Sequence, residues 1–218
     1  MEIVTIDGPT SSGKNSVGFL LSQKLGYQYI DTGMIYRVGT YLVLTSNTAL
    51  NDVAAIVNIF KSLNLRFQTD ESELRIFNED VDLTGFLHNQ DVTQNVPIVA
   101  AIKEVREITK VVQRRLGESQ NTVMTGRDIG SEIFPEAKYK FFLTAKVEIR
   151  AKRRFDQLIK INPTTSYETV LDDMIKRDKV DTEREVSPLR IPEGAIVIDN
   201  SNLNVEQSVE EALKHINA

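Results

Sequence analysis

The sequence predicts a three-layer α/β/α sandwich built on a five-stranded parallel sheet, with a small antiparallel insertion. Two observations support this fold class. Short apolar runs of strand length alternate with helical segments along most of the chain, a pattern typical of a parallel sheet covered on both faces. The length of 218 residues suits one α/β domain with a modest insertion.

The first predicted strand is short and β-branched, covers residues 3–6, and is followed at once by a turn rich in Gly and Ser. A helix is predicted over 16–25, where apolar residues recur at helical spacing, and Gly26 is placed to end it. A second strand is predicted over 27–30. Further strands are predicted over 123–125, 140–143 and 195–198, and further helices over about 102–116, 147–160, 167–180 and 205–217.

The alternation of strand and helix breaks in the segment of about 62–90. Residues 65–68 and 74–77 alternate polar and apolar side chains around the polar turn 69–72, which predicts a hairpin. Residues 81–83 add a third short strand. This segment is therefore interpreted as a small antiparallel insertion, and the preceding residues, 47–64, as a plain amphipathic helix.

Composition and charge exclude several classes of protein. The chain has 26 Lys and Arg against 31 Asp and Glu, a net charge of −5, which argues against non-specific nucleic-acid binding. It has no Cys, so disulfides, thiolate nucleophiles and Cys-based zinc sites are excluded, and two His argue against a His-rich metal site. Residues 101–190 nevertheless hold most of the basic residues, a distribution that suits a small anionic ligand.

The chain's first residues predict a cytoplasmic protein with no membrane partner. Met1 is followed by the acidic Glu2, and Asp7 ends the first apolar run, which is too short for an export signal. No window approaches 18 uninterrupted apolar residues. Nothing in the apolar pattern demands a dimer face, so a monomer is expected.

A phosphate-binding loop is predicted between the first strand and the first helix. Its residues are Gly8, Pro9, Thr10, Ser11, Ser12, Gly13, Lys14, Asn15 and Ser16. The glycines allow backbone N–H groups to surround phosphate oxygens at a helix N-terminus, and Lys14 would reach the outer phosphates. The usual pattern has Ser or Thr directly after the Lys, whereas here Asn15 intervenes and Ser16 follows. The loop indicates a P-loop NTPase-type fold and leaves GTPases, ATPases and small-molecule kinases open.

Two further polar segments follow predicted strands, where ligands gather in open α/β sheets. In the segment 31–37, Thr32 offers a hydroxyl and Arg37 a guanidinium suited to gripping a phosphate, and Asp31 or Thr32 is placed to cap a helix. In Gly126-Arg127-Asp128, the Arg offers a phosphate clamp and the Asp an acceptor for an exocyclic amine.

Together with two later segments, these motifs resemble the bacterial cytidylate kinases. The matching segments occur in order and at compatible spacing over nearly the whole chain: 6–14, 31–37, 105–107, 126–135 and 177–189. The phosphate loop is generic, but the DTGxxYR and GRD segments together are quite specific.

The resemblance implies a nucleoside-monophosphate kinase that transfers the γ-phosphoryl group of ATP to CMP or dCMP, giving ADP and CDP or dCDP. It implies Mg²⁺ bound through Ser16 and the ATP phosphates, and a mobile lid. The implied division is a core of about 1–61, 91–150 and 191–218, a monophosphate-binding insertion of about 62–90 and a lid region of about 151–190. The charged stretch 176–185 suits a lid, although a solvated helix face would give the same pattern.

The resemblance also assigns roles to individual residues. Lys14, Arg127, Asp128, Asp181 and Arg184 are implied as the catalytic set. Thr32, Arg37 and Arg127 would hold the acceptor phosphate, and Arg106 and Asp128 would read the cytosine edge. Arg177, Asp181 and Arg184 would close from the lid, with Asp181 at the sugar hydroxyls and the arginines facing phosphates. One of Arg150, Lys152, Arg153 and Arg154 would assist ATP.

Four positions depart from the family pattern. Thr125 stands where the family has an Asp that helps to organise Mg²⁺, and Asn15 replaces a small residue of the phosphate loop. Pro97 replaces a Ser that contacts the cytosine amine, which predicts weaker discrimination against uracil. His88 replaces an Arg and is interpreted as a surface residue. We expect an active kinase with a lower rate or relaxed base choice.

Two other functions remain open from the residues. One is a P-loop kinase of a different small acceptor, such as a shikimate-type or UMP/CMP-type enzyme, although Arg106, Arg127 and Asp128 disfavour the shikimate type. The other is a nucleotide-binding regulatory protein with weak or lost transfer activity, which the departures at Asn15 and Thr125 motivate.

Overall fold

The computed structural model describes residues 1–70 and 72–216, and it contains two sheets. The strands are β1 (Ile3–Asp7), β2 (Gln28–Asp31), β3 (Leu65–Thr69), β4 (Leu74–Asn78), β5 (Val81–Asp82), β6 (Thr122–Gly126), β7 (Tyr139–Thr144) and β8 (Ile196–Asp199). The larger sheet has five strands in the order β2-β6-β1-β7-β8, all parallel, and the smaller is the antiparallel β3-β4-β5.

Helices cover both faces of the parallel sheet. They are α1 (Lys14–Leu25), α2 (Thr32–Thr45), α3 (Val53–Lys61), α4 (Gln90–Ala101), α5 (Lys103–Gly117), α6 (Val147–Leu158), α7 (Tyr167–Glu183) and α8 (Val205–Ile216). Among the residues described, no helix is both long enough and apolar enough to cross a membrane.

Two hydrophobic clusters hold the three layers together. On one face, Ile30 and Met124 of the sheet pack with α2, α3 and α5; on the other, Val4 and Ile6 pack with α1 and α8. A parallel strand buried on both faces is expected to be apolar throughout. The predicted sandwich with a five-stranded parallel sheet is therefore confirmed.

Strand register brings the predicted motifs to one edge of the sheet. Asp7 lies opposite Gly126 in the β1–β6 pairing, and Asp31 lies opposite Thr125 in the β2–β6 pairing. The carboxyl ends of β1, β2 and β6 therefore coincide, which is where open α/β sheets bind ligands. The three segments that were separate in the sequence become neighbours at this edge.

The antiparallel insertion is confirmed, with Phe67 opposite Ile76 in the hairpin. The inward side chains of Leu65, Phe67 and Ile76 are buried and join the same hydrophobic cluster as α2 and α5. The predicted hairpin turn includes Glu71, which lies outside the described residues.

Several predicted helix bounds are wrong. The helix predicted over 47–64 is confined to α3, because the Asp52 carboxylate accepts from the Ala55 N–H and caps the helix there. Helix α4 was not predicted. It contains the exposed Pro97, and Asn89 caps it through the Val92 N–H. Helix α1 begins two residues early, at Lys14. The last predicted helix ran to Asn217, outside the described residues.

Candidate active site

The phosphate loop has the backbone geometry of an anion-binding concavity. Ser11 and Gly13 both have positive φ angles, 55° and 88°, and Gly13 stands directly before α1. Successive left- and right-handed residues aim their N–H groups inward, and the helix N-terminus adds a partial positive charge. Gly8 is required by space, because a Cβ there would lie 2.1 Å from the Leu143 carbonyl oxygen.

Lys14 is a buried cation beside other cations. Its Nζ donates to the Pro9 carbonyl oxygen at 3.2 Å. Burial and the neighbouring charge of Arg127 lower the pKa of Lys14, against the opposing charge of Asp31. A dianionic phosphate at this place would relieve the repulsion and the lost hydration.

Arg177 of α7 adds to this group of cations. Burial and the charges of Arg127, Arg37 and Arg154 lower the pKa of Arg177. Among the described residues, only Asp31 and Asp181 oppose these cations, and an excess of positive charge at a partly buried place favours an anionic ligand. Four arginines from α2, α6, α7 and the end of β6 thus surround the mouth of the phosphate loop together with Lys14.

Asn15, one of the four departures, joins the phosphate loop to the end of β2. Its Nδ2 donates to Asp31 Oδ2 at 2.6 Å, while Asp31 Oδ1 accepts from the Gly33 N–H at 2.9 Å and caps α2. Burial raises the pKa of Asp31, although Lys14 opposes that shift. The predicted capping of α2 by Asp31 is confirmed. Ser16, the residue after Asn15 in α1, is exposed.

Thr32 and Arg37 both lie on α2, but their side chains bond to different parts of the structure. The buried Thr32 hydroxyl donates to the Thr125 carbonyl oxygen at 2.9 Å. Arg37 Nη1 donates to the Leu87 carbonyl oxygen at 2.8 Å and to Thr93 Oγ1 at 3.2 Å, so it connects α2 to the insertion and to α4. His88 follows Leu87 and reaches the surface, as expected. Lost hydration on the side of the ring that faces the protein, together with the Arg37 charge, lowers the pKa of His88.

Asp128 lies between two arginines at the other end of the site. Arg106 Nη2 binds Asp128 Oδ2 at 2.7 Å, in a pair with side chains only 5% and 9% exposed. Arg184 Nη2 lies 3.9 Å from Asp128 Oδ1. The Tyr36 ring lies under Arg106, whose Cζ is 5.5 Å from the ring centroid, and Thr109 Oγ1 donates to the Tyr36 hydroxyl at 2.8 Å.

This end of the site borders a cavity of about 500 Å³ lined by Tyr36, Arg106, Asp128 and the segment 185–188. Within the described part of the chain, two buried nitrogens have no hydrogen-bond partner, Arg106 Nε and Arg184 Nη2. Two donors beside one carboxylate acceptor match the edge of cytosine, which offers two acceptors and an amino group. Arg184 follows the last residue of α7 and lies beside Asp128, while its implied contact with phosphates stays a prediction.

One side of the charged stretch 176–185 faces the site, through Arg177, Asp178, Asp181 and Arg184, while its other side is exposed to solvent. Arg127 Nε binds Asp181 Oδ2 at 2.8 Å, and Arg150 Nη1 binds Asp178 Oδ2 at 2.7 Å. Burial alone would raise the pKa of Asp181, but Arg127 and the neighbouring arginines hold it below its usual value. These ion pairs attach α7 to the carboxyl edge of the sheet.

The four basic residues at the start of α6 are now distinguishable. Arg150 is buried and donates to the Thr10 carbonyl oxygen at 3.1 Å, so it contacts the phosphate loop. Arg153 donates to Asn200 through both Nη1 and Nη2. Lys152 pairs with Asp156 on the exposed side of the helix. Arg154 is half-buried near Arg37.

Asp7 is a site residue that the sequence analysis did not single out. Its two carboxylate oxygens accept from the Ile129 and Gly130 N–H groups at 2.8 and 2.7 Å, so it holds the turn after Asp128. Complete burial raises the pKa of Asp7 to about 7. An acid that ends a buried strand directly before a phosphate loop was the available signal.

The remaining departures lie in different surroundings. The Thr125 side chain is completely buried, and its hydroxyl lies 2.9 Å from that of Tyr29. Gly18 packs against it, since a Cβ at Gly18 would lie 2.5 Å from Thr125 Cγ2. Pro97 is exposed on α4, where no N–H is available from its ring.

Solved structures share the fold at low sequence identity. A shikimate kinase from Bacteroides thetaiotaomicron aligns over 100% of this chain and 99% of its own, with a TM-score of 0.50 and 11% identity. An uncharacterised protein from Eubacterium ventriosum aligns over 100% and 99%, with a TM-score of 0.52 and 13% identity. These similarities concern the fold alone.

Sequence comparison is more specific. Cytidylate kinase from Caldanaerobacter subterraneus subsp. tengcongensis is 41% identical over 98% of this chain and 93% of its own length. Cytidylate kinase from Bacillus subtilis is 37% identical over 98% and 95%. The family model for cytidylate kinase matches residues 4–218. The chain therefore belongs to the cytidylate kinase family.

Proposed function

We propose that this protein transfers the γ-phosphoryl group of ATP to CMP or dCMP, giving ADP and CDP or dCDP. The observation that carries the choice of acceptor is Asp128 between Arg106 and Arg184, with two buried guanidinium nitrogens unpaired among the described residues. Uracil, which presents a ring N–H and a carbonyl where cytosine presents an acceptor and an amine, would leave this arrangement mismatched.

The donor triphosphate is assigned to the loop of residues 8–16. Its inward N–H groups and the N-terminus of α1 bind phosphate oxygens, and Lys14 contributes the mobile charge. Arg150 and Arg153 of α6 both lie against this loop or its neighbour Asn200. Of the four basic residues on α6, these two are placed to assist ATP.

The acceptor phosphate is assigned to Thr32, Arg37 and Arg127, between the donor loop and the base end. Phosphoryl transfer needs the two phosphates in line and positive charge around the moving group. Arg127, Arg177 and Lys14 supply that charge, and guanidinium forks match phosphate oxygens in pairs. Asp181, now bound to Arg127, would exchange that contact for the sugar hydroxyls.

We assign the lid to about 151–190 and monophosphate binding to the insertion of about 62–90, whose Leu87 carbonyl holds Arg37. Closure of a lid excludes water, which would otherwise compete as acceptor. The ion pairs of α7 with Arg127 and Arg150 are the contacts that such a motion would rearrange.

Mg²⁺ fits this site as a companion of the triphosphate. Among the described residues no cluster of three or more acidic or His side chains could cage a metal, but Mg²⁺ with nucleotides needs only one or two protein oxygens. The exposed Ser16 hydroxyl and the Asp31 carboxylate beside Asn15 would hold it. When bound, it neutralises charge on the phosphate oxygens.

The test is ADP release from Mg·ATP with CMP, dCMP, UMP and AMP offered separately. We expect rapid turnover with CMP and dCMP. Turnover with UMP at a comparable rate would show that Pro97 has relaxed base choice. Binding of CMP without turnover of any acceptor would contradict the proposal and favour a regulatory nucleotide-binding protein, the function that Thr125 motivates.

A further inference from the structure

Two carbonyl groups of the phosphate loop are held from outside the loop by residues far away in the chain. Arg150 Nη1 donates to the Thr10 carbonyl oxygen at 3.1 Å, and Asn200 Nδ2 donates to the Ser12 carbonyl oxygen at 2.8 Å. The N–H of a trans peptide points opposite to its carbonyl, and no peptide bond among the described residues is cis. Holding these carbonyls outward therefore turns the Ser11 and Gly13 N–H groups inward.

Asn200 makes the better-defined of the two contacts. It is 3% exposed, and its backbone N–H donates to the Thr144 carbonyl oxygen at 2.8 Å, which fixes it at the end of β8. Its Oδ1 accepts from Arg153 Nη1 at 3.1 Å, and its backbone oxygen accepts from Arg153 Nη2 at 2.7 Å. Because a guanidinium only donates, Arg153 fixes the amide orientation and leaves Nδ2 to face Ser12.

We propose that Asn200, oriented by Arg153, is a positioning residue that holds the Ser12–Gly13 peptide with its N–H toward the donor triphosphate. The proposal rests on the assignment of ATP to this loop. Gly13 has a φ of 88°, a region open to glycine in several peptide orientations. An external hydrogen bond is therefore needed to select one of them before the ligand arrives, and preorganised donors give the largest electrostatic benefit.

Asn200→Asp distinguishes this role from simple packing. The substitution keeps the side-chain shape and strengthens the contact with Arg153, but it replaces the donor that faces Ser12 with a carboxylate oxygen. Two oxygens cannot share that contact, so the Ser12–Gly13 peptide must turn and take its N–H out of the phosphate site. Asn202→Asp is the matched control, because Asn202 is exposed in the same turn and receives the same charge.

The measurements are KM for ATP, KM for CMP, kcat, and the inhibition constant of inorganic tripolyphosphate, which carries no base. For Asn200→Asp we expect KM for ATP and the tripolyphosphate constant to rise by the same factor, about tenfold for one lost charge-assisted bond. KM for CMP should stay within about twofold, the usual scatter for a residue outside that site. Asn202→Asp should resemble the wild type. Asn200→Ala removes the donor to the Ser12 carbonyl and adds no repulsion. It should therefore raise KM for ATP and the tripolyphosphate constant by a smaller factor.

Other outcomes would overturn the proposal. A rise in KM for ATP without a change in the tripolyphosphate constant would place Asn200 at the base of the donor. Equal losses for ATP and CMP in both Asn200 variants would mean that the residue only maintains the fold. Absence of ADP release by the wild type would instead refute the proposed function, while tripolyphosphate binding by equilibrium titration would still test Asn200.

Discussion

The two ends of the site are built in different ways. The donor end is a backbone structure: N–H groups of one short loop, shaped by Ser11 and Gly13 and held from outside by Arg150 and Asn200. The base end is made of charged side chains, with Asp128 between arginines that come from α5 and the end of α7. The donor end can therefore be recognised from one local motif. The base end forms only when the fold brings together Asp128, Arg106, which lies 22 positions before it, and Arg184, which lies 56 positions after it.

This comparison predicts that substitutions at the two ends will have separable kinetic effects. The strongest effect is expected at Lys14, the buried cation whose Nζ lies within the phosphate loop itself. Lys14→Met keeps the volume and removes the charge, and we expect kcat to fall by about 10³-fold, as for loss of a key electrostatic donor. Binding of CMP, measured by calorimetry, should change little.

Lys24→Met is the control for Lys14, since Lys24 is exposed on the same helix. It should leave kcat unchanged. Weaker binding of CMP in Lys14→Met, to the same extent as the loss in kcat, would show that the two ends are not separable.

At the base end, Asp128→Asn should reduce kcat/KM for CMP by about 10²-fold while KM for ATP stays near its wild-type value. The carboxylate balances two buried arginines, and removing one partner of a buried pair leaves charge uncompensated. Glu132→Gln, on the rim of the same cavity, is the control. An equal loss for ATP, or a collapse of the thermal midpoint, would contradict a role confined to the acceptor.

Asp7 connects the two ends, because it precedes the phosphate loop and binds the N–H groups after Asp128. Its pKa, raised by burial to about 7, exceeds the ordinary value of 3.8, so the folded protein binds this proton more tightly than the unfolded chain does. The stabilisation is therefore complete below pH 3.8 and is lost as the pH rises through 7. We expect Asp7 to lower the free energy of unfolding by about 2 kcal/mol between pH 5 and pH 7.

Urea unfolding of the wild type and of Asp7→Asn across that range tests the prediction. The two proteins should differ in pH slope, whatever their difference in absolute stability, since the amide introduced by the substitution does not titrate. Asp31, whose pKa burial also raises, titrates in both and cancels in the comparison. Parallel slopes would mean that Asp7 is ionised throughout.

The same contrast explains how much could be predicted from the sequence. The apolar runs predicted the five-stranded sheet, and the alternation over 65–77 predicted the hairpin. Both could be predicted because buried positions recur at short, regular spacing along the sequence. The phosphate loop was predicted because its residues are consecutive. At the base end, the roles of Arg106 and Asp128 were implied by family resemblance, since no local pattern joins them, and the position of Arg184 beside Asp128 was not foreseen.

What supports each end was missed for a physical reason. Asn200 and Asp7 act through hydrogen bonds to backbone atoms of distant residues. Every residue has the same backbone atoms, so the sequence does not indicate which of them will accept or donate such a bond. Helix α4 was missed as well. Pro97 is unfavourable inside a helix, and burial of Val92, Val96 and Val99 on one face of α4 overrides that cost. In each case contacts between distant parts of the chain determine the structure, and the local sequence does not show them.

The smallest predicted effect concerns Thr125, which lies between the two ends. The family resemblance implies an Asp here that would help to organise Mg²⁺. In this protein the completely buried Thr125 hydroxyl lies 2.9 Å from the Tyr29 hydroxyl. An Asp could accept a hydrogen bond from Tyr29, so Thr125→Asp has a partner in place and should raise kcat about threefold, within the range of one modest electrostatic contact. Thr125→Ser, which keeps the hydroxyl, is the control. An unchanged kcat in Thr125→Asp, with CMP binding intact, would show that Asp31 and Ser16 suffice to hold the metal. The Thr at position 125 would then serve only to pack against Gly18.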